Sequence, residues 1–261
     1  MLRLILIKIL EIIKLIFDFI MLIIKKIKYI LRKHIVSDNN EFNSHNNFLN
    51  KKVYDLYEDE QIEKSYKNYR KYFEKAIFLN YLDLKKFSLK KSLENDPDQK
   101  KYYLEFGVMG GGTINFFSRF LNTKIYGFDS FEGLREDMLG ADHAKGDFDL
   151  KGKIPHLKSN VVPIKGWVQD TLPKFLEEKS PLINFVHMDL DTYESSKFVL
   201  GLIKKYLDNK CVIVLDDFYN FAGWEMGESK AFHEVFSEDE VKFIAFSKFH
   251  RTVSVQILKK N

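Results

Sequence analysis

"YYLEFGVMGGGT", Tyr102–Thr113, passes from a β-rich apolar run through Gly107, Gly110, Gly111 and Gly112 into a stretch with helical spacing, "TINFFSRFL". The strand is expected to end at Glu105 and Phe106. Glycines after it allow positive φ and close approach of backbone to a ligand, and the first turn of the following helix offers free N–H groups. Further along the chain the same grammar repeats: "KIYGFD"; "VVPIKG" then "TLPKFLEE"; "INFVHMD" then "YESSKFVLGLIKKYL"; "CVIVLD" then "ESKAFHEVF". Short apolar runs alternating with helical segments predict a parallel sheet covered on both faces by helices. The close differs, because "VKFIAFS" is followed after only four residues by "TVSVQIL". A parallel crossover needs about a dozen residues, so the last strand is expected to be antiparallel, a hairpin-connected edge strand. The fold class expected is α/β: a Rossmann-like, doubly wound, seven-stranded sheet with an antiparallel last strand, preceded by N-terminal helices.

Residues 101–261 carry that pattern, and three segments precede them. Residues 51–100 regain helical periodicity and read as a helical extension of two helices, closed by "ENDPDQ" around Pro97, with a lysine-rich solvated face. Residues 34–50, rich in Asn, read as a linker. Residues 1–33 hold eight Lys/Arg against Glu11 and Asp18, a net +6 of the chain's +4, so the remainder is slightly acidic at −2. A body of that charge excludes nucleic acid as the natural partner. Lys8, Glu11, Lys14 and Asp18 interrupt the apolar run too early for a spanning helix, and the charges gather into one stripe. The reading is an amphipathic helix lying in a membrane surface, with packing on a sister subunit, and hence a homo-oligomer, as the alternative. A single cysteine, Cys211, forms no intrachain disulfide. Nothing marks an oxidising compartment, and a cytoplasmic protein peripheral to the membrane is expected.

Three groups of residues carry chemistry. Asp129, 22 residues after Gly107, closes the second strand of the main pattern, where a carboxylate can take both hydroxyls of a ribose. Loop and aspartate together imply an adenosine-containing ligand, while Gly107-Val-Met-Gly110 breaks the dinucleotide fingerprint at its second glycine. "FVHMDLDTY" and "CVIVLDDFY" end two apolar runs in aspartates. Successive strand tips sit side by side at the carboxyl edge of such a sheet, which would bring Asp189 and Asp191 near Asp216 and Asp217. Four carboxylates there require a positive partner, and an all-oxygen set favours Mg²⁺ or Mn²⁺ over zinc. The bland alternative is that some of them merely cap helices.

An acidic residue two before the first glycine, Glu105 before Gly107, resembles the first motif of class I S-adenosylmethionine methyltransferases. "EFGVMGGGT", "YGFDSFEGL", "GDF", "KGWVQDTLP", "MDLDTYES" and "LDDFY" look like successive motifs of the macrocin O-methyltransferase group, metal-dependent sugar O-methyltransferases, over roughly residues 102–258. The resemblance implies cofactor contacts by Glu105, Gly107, Thr113, Asp129, Ser130 and Trp167. It makes Asp189, Asp216 and Asp217 the Mg²⁺ ligands and Asp191 the general base. It also implies a small-molecule sugar as acceptor, and the membrane-seeking helix suggests a lipid-linked one. Residues 137–153 suit a lid, with His143 read as a solvated loop residue; His187 reads as a core histidine, and Tyr193, Tyr219 and Trp224 are candidates for a sugar-binding wall or for packing. Asp189-Leu-Asp191 is also a D-x-D sequence, which keeps a metal-dependent glycosyltransferase open. A non-catalytic, membrane-tethered nucleotide-binding module is the third reading.

Overall fold

Parallel strands buried on both faces build the centre of the molecule, which in this computed structural model is described for residues 52–259. The segments expected as a membrane-seeking helix, 1–33, and a linker, 34–50, lie outside the described residues. Elements run in the order α1 (Val53–Phe73), β1 (Ile77–Leu79), α2 (Tyr81–Glu94), β2 (Tyr102–Phe106), α3 (Gly112–Ser118), β3 (Ile125–Asp129), β4 (Val161–Lys165), α4 (Val168–Lys179), β5 (Ile183–Met188), α5 (Tyr193–Ile203), β6 (Leu207–Leu215), α6 (Glu228–Val235), β7 (Val241–Ser247) and β8 (Val253–Ile257). None of the described helices is long and apolar enough to cross a membrane.

The sheet has the order β1-β7-β8-β6-β5-β2-β3-β4. From β2 the chain winds one way through β3 and β4, then returns to β5 and β6 on the other side of β2. The switch point therefore lies between β2 and β5, where open α/β sheets bind ligands beyond the strand ends. Side-chain alternation divides the core. Leu104, Phe106, Val186, Met188, Ile213 and Leu215 meet α4, α5 and α6, together with Tyr69 of α1. On the opposite face Tyr103, Phe185, Val212 and Val214 meet Leu84 and Leu89 of α2 and Ile114 and Phe117 of α3.

Two expectations are corrected. The extension is not purely helical: Ile77–Leu79 adds an eighth strand, parallel to β7 with Ile77 opposite Ala245 and Leu79 opposite Ser247. Three β-favouring residues suffice there because an existing edge supplies the partner groups. The last strand is antiparallel as expected, but it is interior, lying between β6 and β7. Its alternation had suggested one solvated face, yet Ser254 is as buried as Val253 and Val255 and accepts a hydrogen bond from the Ser88 hydroxyl at 2.8 Å.

Gly107, at φ +86°, is the tightest point of this framework: a Cβ there would stand 1.8 Å from the backbone oxygen of Asp189. Neither strand tip can yield without disturbing the other. Gly107→Ala is expected to cost roughly 1–3 kcal/mol or more, read as a lower urea midpoint; an unchanged midpoint would contradict the contact.

Candidate active site

At the carboxyl edge the chain turns sharply out of β2, β3, β5 and β6, and those four turns form the site. Asp129, at the end of β3, is held by backbone donors: Val108 N at 2.8 Å and Met109 N at 2.7 Å reach one oxygen, and Phe131 N at 2.6 Å reaches the other. The carboxylate thus clamps the glycine loop, and only one of its oxygens keeps an open lone-pair position for a ligand hydroxyl. A cavity of about 490 Å³ opens beside it, lined among others by Gly107, Thr113, Asp129, Ser130, Trp167 and Asp189. Arg135 stands over the Trp167 ring, 5.0 Å from its centroid. Five of the six residues expected at the cofactor are in this wall.

Glu105 is not. It is fully buried on the α2/α3 face of β2, directly across from His187 in the register of β5, and its Oε2 lies 3.4 Å from His187 Nδ1. Strand alternation is the reason: Phe106 and Glu105 point to opposite faces of the sheet. Burial pushes the Glu105 carboxyl above its ordinary pKa, against the opposing pull of His187. His187 is buried as expected, yet it is no passive core residue, because its Nε2 lies 3.5 Å from Asp216 Oδ1.

The four expected aspartates do converge, in two overlapping groups that share Asp189: His187–Asp189–Asp216 and Asp189–Asp191–Asp217, each with ligand atoms within 4.8 Å of one another. Three protein donors meet Asp216. Lys85 Nζ is 2.9 Å from its Oδ1, Thr252 Oγ1 3.3 Å from the same oxygen, and Tyr81 OH 3.3 Å from Oδ2. Asp217 pairs with Arg251 at 3.1 Å. Asp189 receives no side-chain hydrogen bond among the described residues, and Asp191, held at φ +62°, meets only the carboxyl of Asp217. Burial, then the neighbouring carboxylates, raise Asp189 and Asp191 well above the ordinary carboxylate range. Burial would raise Asp216 too, but the nearby His187 imidazole, 3.5 Å away, and the Lys85 charge hold it below that range.

These donors fit a hard dication at Asp189, Asp191 and Asp217, where close-set oxygens lack cations of their own apart from Arg251. Glu228, fully buried, braces the cluster by accepting from Leu190 N and Asp217 N, each at 3.2 Å. A second cavity, about 330 Å³, adjoins the first and shares Asp191 and Thr192 with it; Glu136, Tyr193, Phe221 and Lys230 are in its wall. Tyr193 is thus at this cavity, whereas Tyr219 and Trp224 are packed in the core. His143 lines neither cavity and sits between Asp142 and Asp147. The sequence reading missed Tyr81, Lys85, Glu228, Arg251 and Thr252. Only Lys85 left a signal, since it occupies the same helical face as Ser88, Leu89 and Ser92, all buried.

Residues 104–218 match the family model described as "Methyltransferase domain". Among solved structures, CalS11, calicheamicin methyltransferase, is 24% identical with a TM-score of 0.54, covering 67% of this chain and 78% of its own. An apo structure of CalS11, there described as TDP-rhamnose 3'-O-methyltransferase, gives 23% identity, 67% and 78% coverage and a TM-score of 0.49. The O-methyltransferase from Bacillus cereus in complex with SAH gives 14% identity, 84% and 96% coverage and a TM-score of 0.45. A search of curated proteins finds no match. At 24% identity and a TM-score of 0.54, the likeness to CalS11 concerns the fold.

Asp189, Asp191 and Glu228 all retain protons above the ordinary carboxylate range, so there the folded chain binds more protons than the unfolded one. Their stabilising effect is complete below the unfolded carboxyl pKa and is lost as pH rises through the raised folded values. Asp216, held low, acts only in more acid solution. Melts of the metal-free protein in chelator are expected to show a falling Tm between about pH 5 and pH 8; a rising Tm would contradict the raised values.

Proposed function

We propose that the chain, whose residues 104–218 match a methyltransferase domain, is a class I S-adenosylmethionine-dependent methyltransferase that methylates a hydroxyl oxygen of a sugar-type small molecule with the help of a divalent cation. The observation that carries this reading is the meeting of two cavities at Asp191, directly beside Asp189 and Asp217. S-adenosylmethionine takes the larger cavity, with Gly107 giving close backbone approach, Asp129 and Ser130 at the ribose, Thr113 at the loop, and Trp167 against the adenine. Glu105 supports that loop from behind, through the sheet.

The acceptor takes the second cavity and presents its hydroxyl at Asp191. A bound Mg²⁺ or Mn²⁺ would lower the pKa of that hydroxyl and fix it for in-line attack on the methyl sulfonium. Asp191 receives the proton. A positioned carboxylate contributes roughly 10²- to 10⁴-fold. Asp189 and Asp217 are the cation's principal ligands. Asp216, expected from the family resemblance as a third, is already met by Lys85, Thr252 and Tyr81, so its contribution in this reading is to order the edge. Sugar as acceptor is supported by the motif resemblance. The proposal extends to a cytoplasmic protein held at a membrane surface by residues 1–33, supported by their net +6 charge.

Asp191→Asn is expected to lower turnover by about 10²- to 10⁴-fold while leaving calorimetric affinity for S-adenosylhomocysteine unchanged. Excess EDTA is expected to abolish methyl transfer to free sugars without preventing S-adenosylhomocysteine binding. Full activity in EDTA would remove the cation from the mechanism, and no binding of S-adenosylhomocysteine would remove the cofactor.

A further inference from the structure

The carboxyl edge holds more negative charge than its one arginine can balance, and the remaining balance is uneven. Lys85 comes from α2, outside residues 104–218 that match the methyltransferase domain, and its side chain is fully buried. A buried ammonium persists only where its charge and its donors are met. Here Asp216 Oδ1 lies 2.9 Å away, the Tyr81 hydroxyl one helical turn back accepts a second hydrogen bond, and the Tyr81 ring centroid is 4.0 Å from Nζ. Asp216 accepts from Lys85, Thr252 and Tyr81, with His187 against it. Asp189 and Asp191 have no lysine or arginine within salt-bridge distance among the described residues.

We propose that Lys85 is the resident cation of the inner cluster, His187–Asp189–Asp216, standing where a metal ion would otherwise bind and confining any dication to the outer cluster, Asp189–Asp191–Asp217. His187, Asp189 and Asp216 have the spacing of a ligand set, and an ammonium already lies against it. A dication entering that cluster would face the ammonium directly, with like charges at close range in a desolvated setting. In the outer cluster Arg251 meets Asp217 alone, from a part-exposed position, and among the described residues Asp189 and Asp191 have no cation within salt-bridge distance. Lys85 is therefore a positioning residue: acting through Asp216, it selects which carboxylates remain free for the ion. The extension that contributes it is in this way part of the site.

The assignment of the outer cluster rests on the cation-assisted reading above; the role of Lys85 at the inner one does not. The test counts Mn²⁺ bound per full-length chain by electron paramagnetic resonance. Lys85→Gln is expected to bind one Mn²⁺ more than the unaltered protein, and Lys85→Arg no more than it. Equal counts for the unaltered protein and Lys85→Gln would overturn the proposal. An unaltered protein that binds none beside a Lys85→Gln variant that binds one supports Lys85 as the resident cation while removing the metal-assisted reading. Should Lys85→Gln fail to fold, the double substitution Lys85→Met with Asp216→Leu replaces the ion pair by apolar groups, a change that buried pairs commonly tolerate. It is expected to keep Mn²⁺ affinity within about a hundredfold, the range for residues outside the coordination sphere; a greater loss would make Asp216 a direct ligand and overturn the proposal.

Discussion

Mutual repulsion of carboxylates at one edge of a buried sheet is the constraint around which this structure is arranged. Asp189 and Asp216 follow directly on neighbouring strands, and Asp191 and Asp217 follow them, so parallel pairing of β5 with β6 forces the four together. Such an edge cannot remain charged and unpartnered in a low-dielectric setting. Every feature around it reduces that penalty: Arg251 on Asp217, Lys85 on Asp216, the backbone amides of Leu190 and Asp217 on Glu228, and protons retained by Asp189 and Asp191. What is left uncompensated lies where two cavities meet. The energetic difficulty of the fold and its chemical use coincide.

The remainder of the domain holds that edge in place. Gly107 brings β2 into contact with the backbone of Asp189, and Asp129 draws the glycine loop toward β3 with two backbone hydrogen bonds. The glycine loop and the acidic edge are consequently in direct contact, and a side chain at 107 would separate them. Beneath it, Glu105, His187, Asp216 and Lys85 make a continuous polar row from the first strand of the domain to helix α2. That row ties α2, which lies outside the residues matching the methyltransferase domain, to the acidic edge.

Much of this was legible in the sequence where one local signal had one structural meaning. An apolar run ending in Asp marks a strand tip, and a short link before "TVSVQIL" requires an antiparallel strand; both hold. Position within the sheet was less legible. Alternation in Val253–Ile257 looked like one solvated face, but Ser254 is buried through a partner, Ser88, that is distant in sequence. Lys85 was hidden among Lys86, Lys90 and Lys91, which share its composition but not its helical face. Glu105 was read by its motif rather than by its strand position, which turns it away from the cavity. In each case the missing information was the identity of a long-range neighbour.

The central claim is that Asp189 and Asp217 hold a dication beside Asp191, where the two cavities meet. Anomalous diffraction from crystals grown with Mn²⁺ and S-adenosylhomocysteine tests it most directly. The assignment predicts one peak within coordination distance of Asp189 and Asp217 and on the side of Asp191. A peak enclosed instead by His187 and Asp216, or no peak at saturating Mn²⁺, would contradict it.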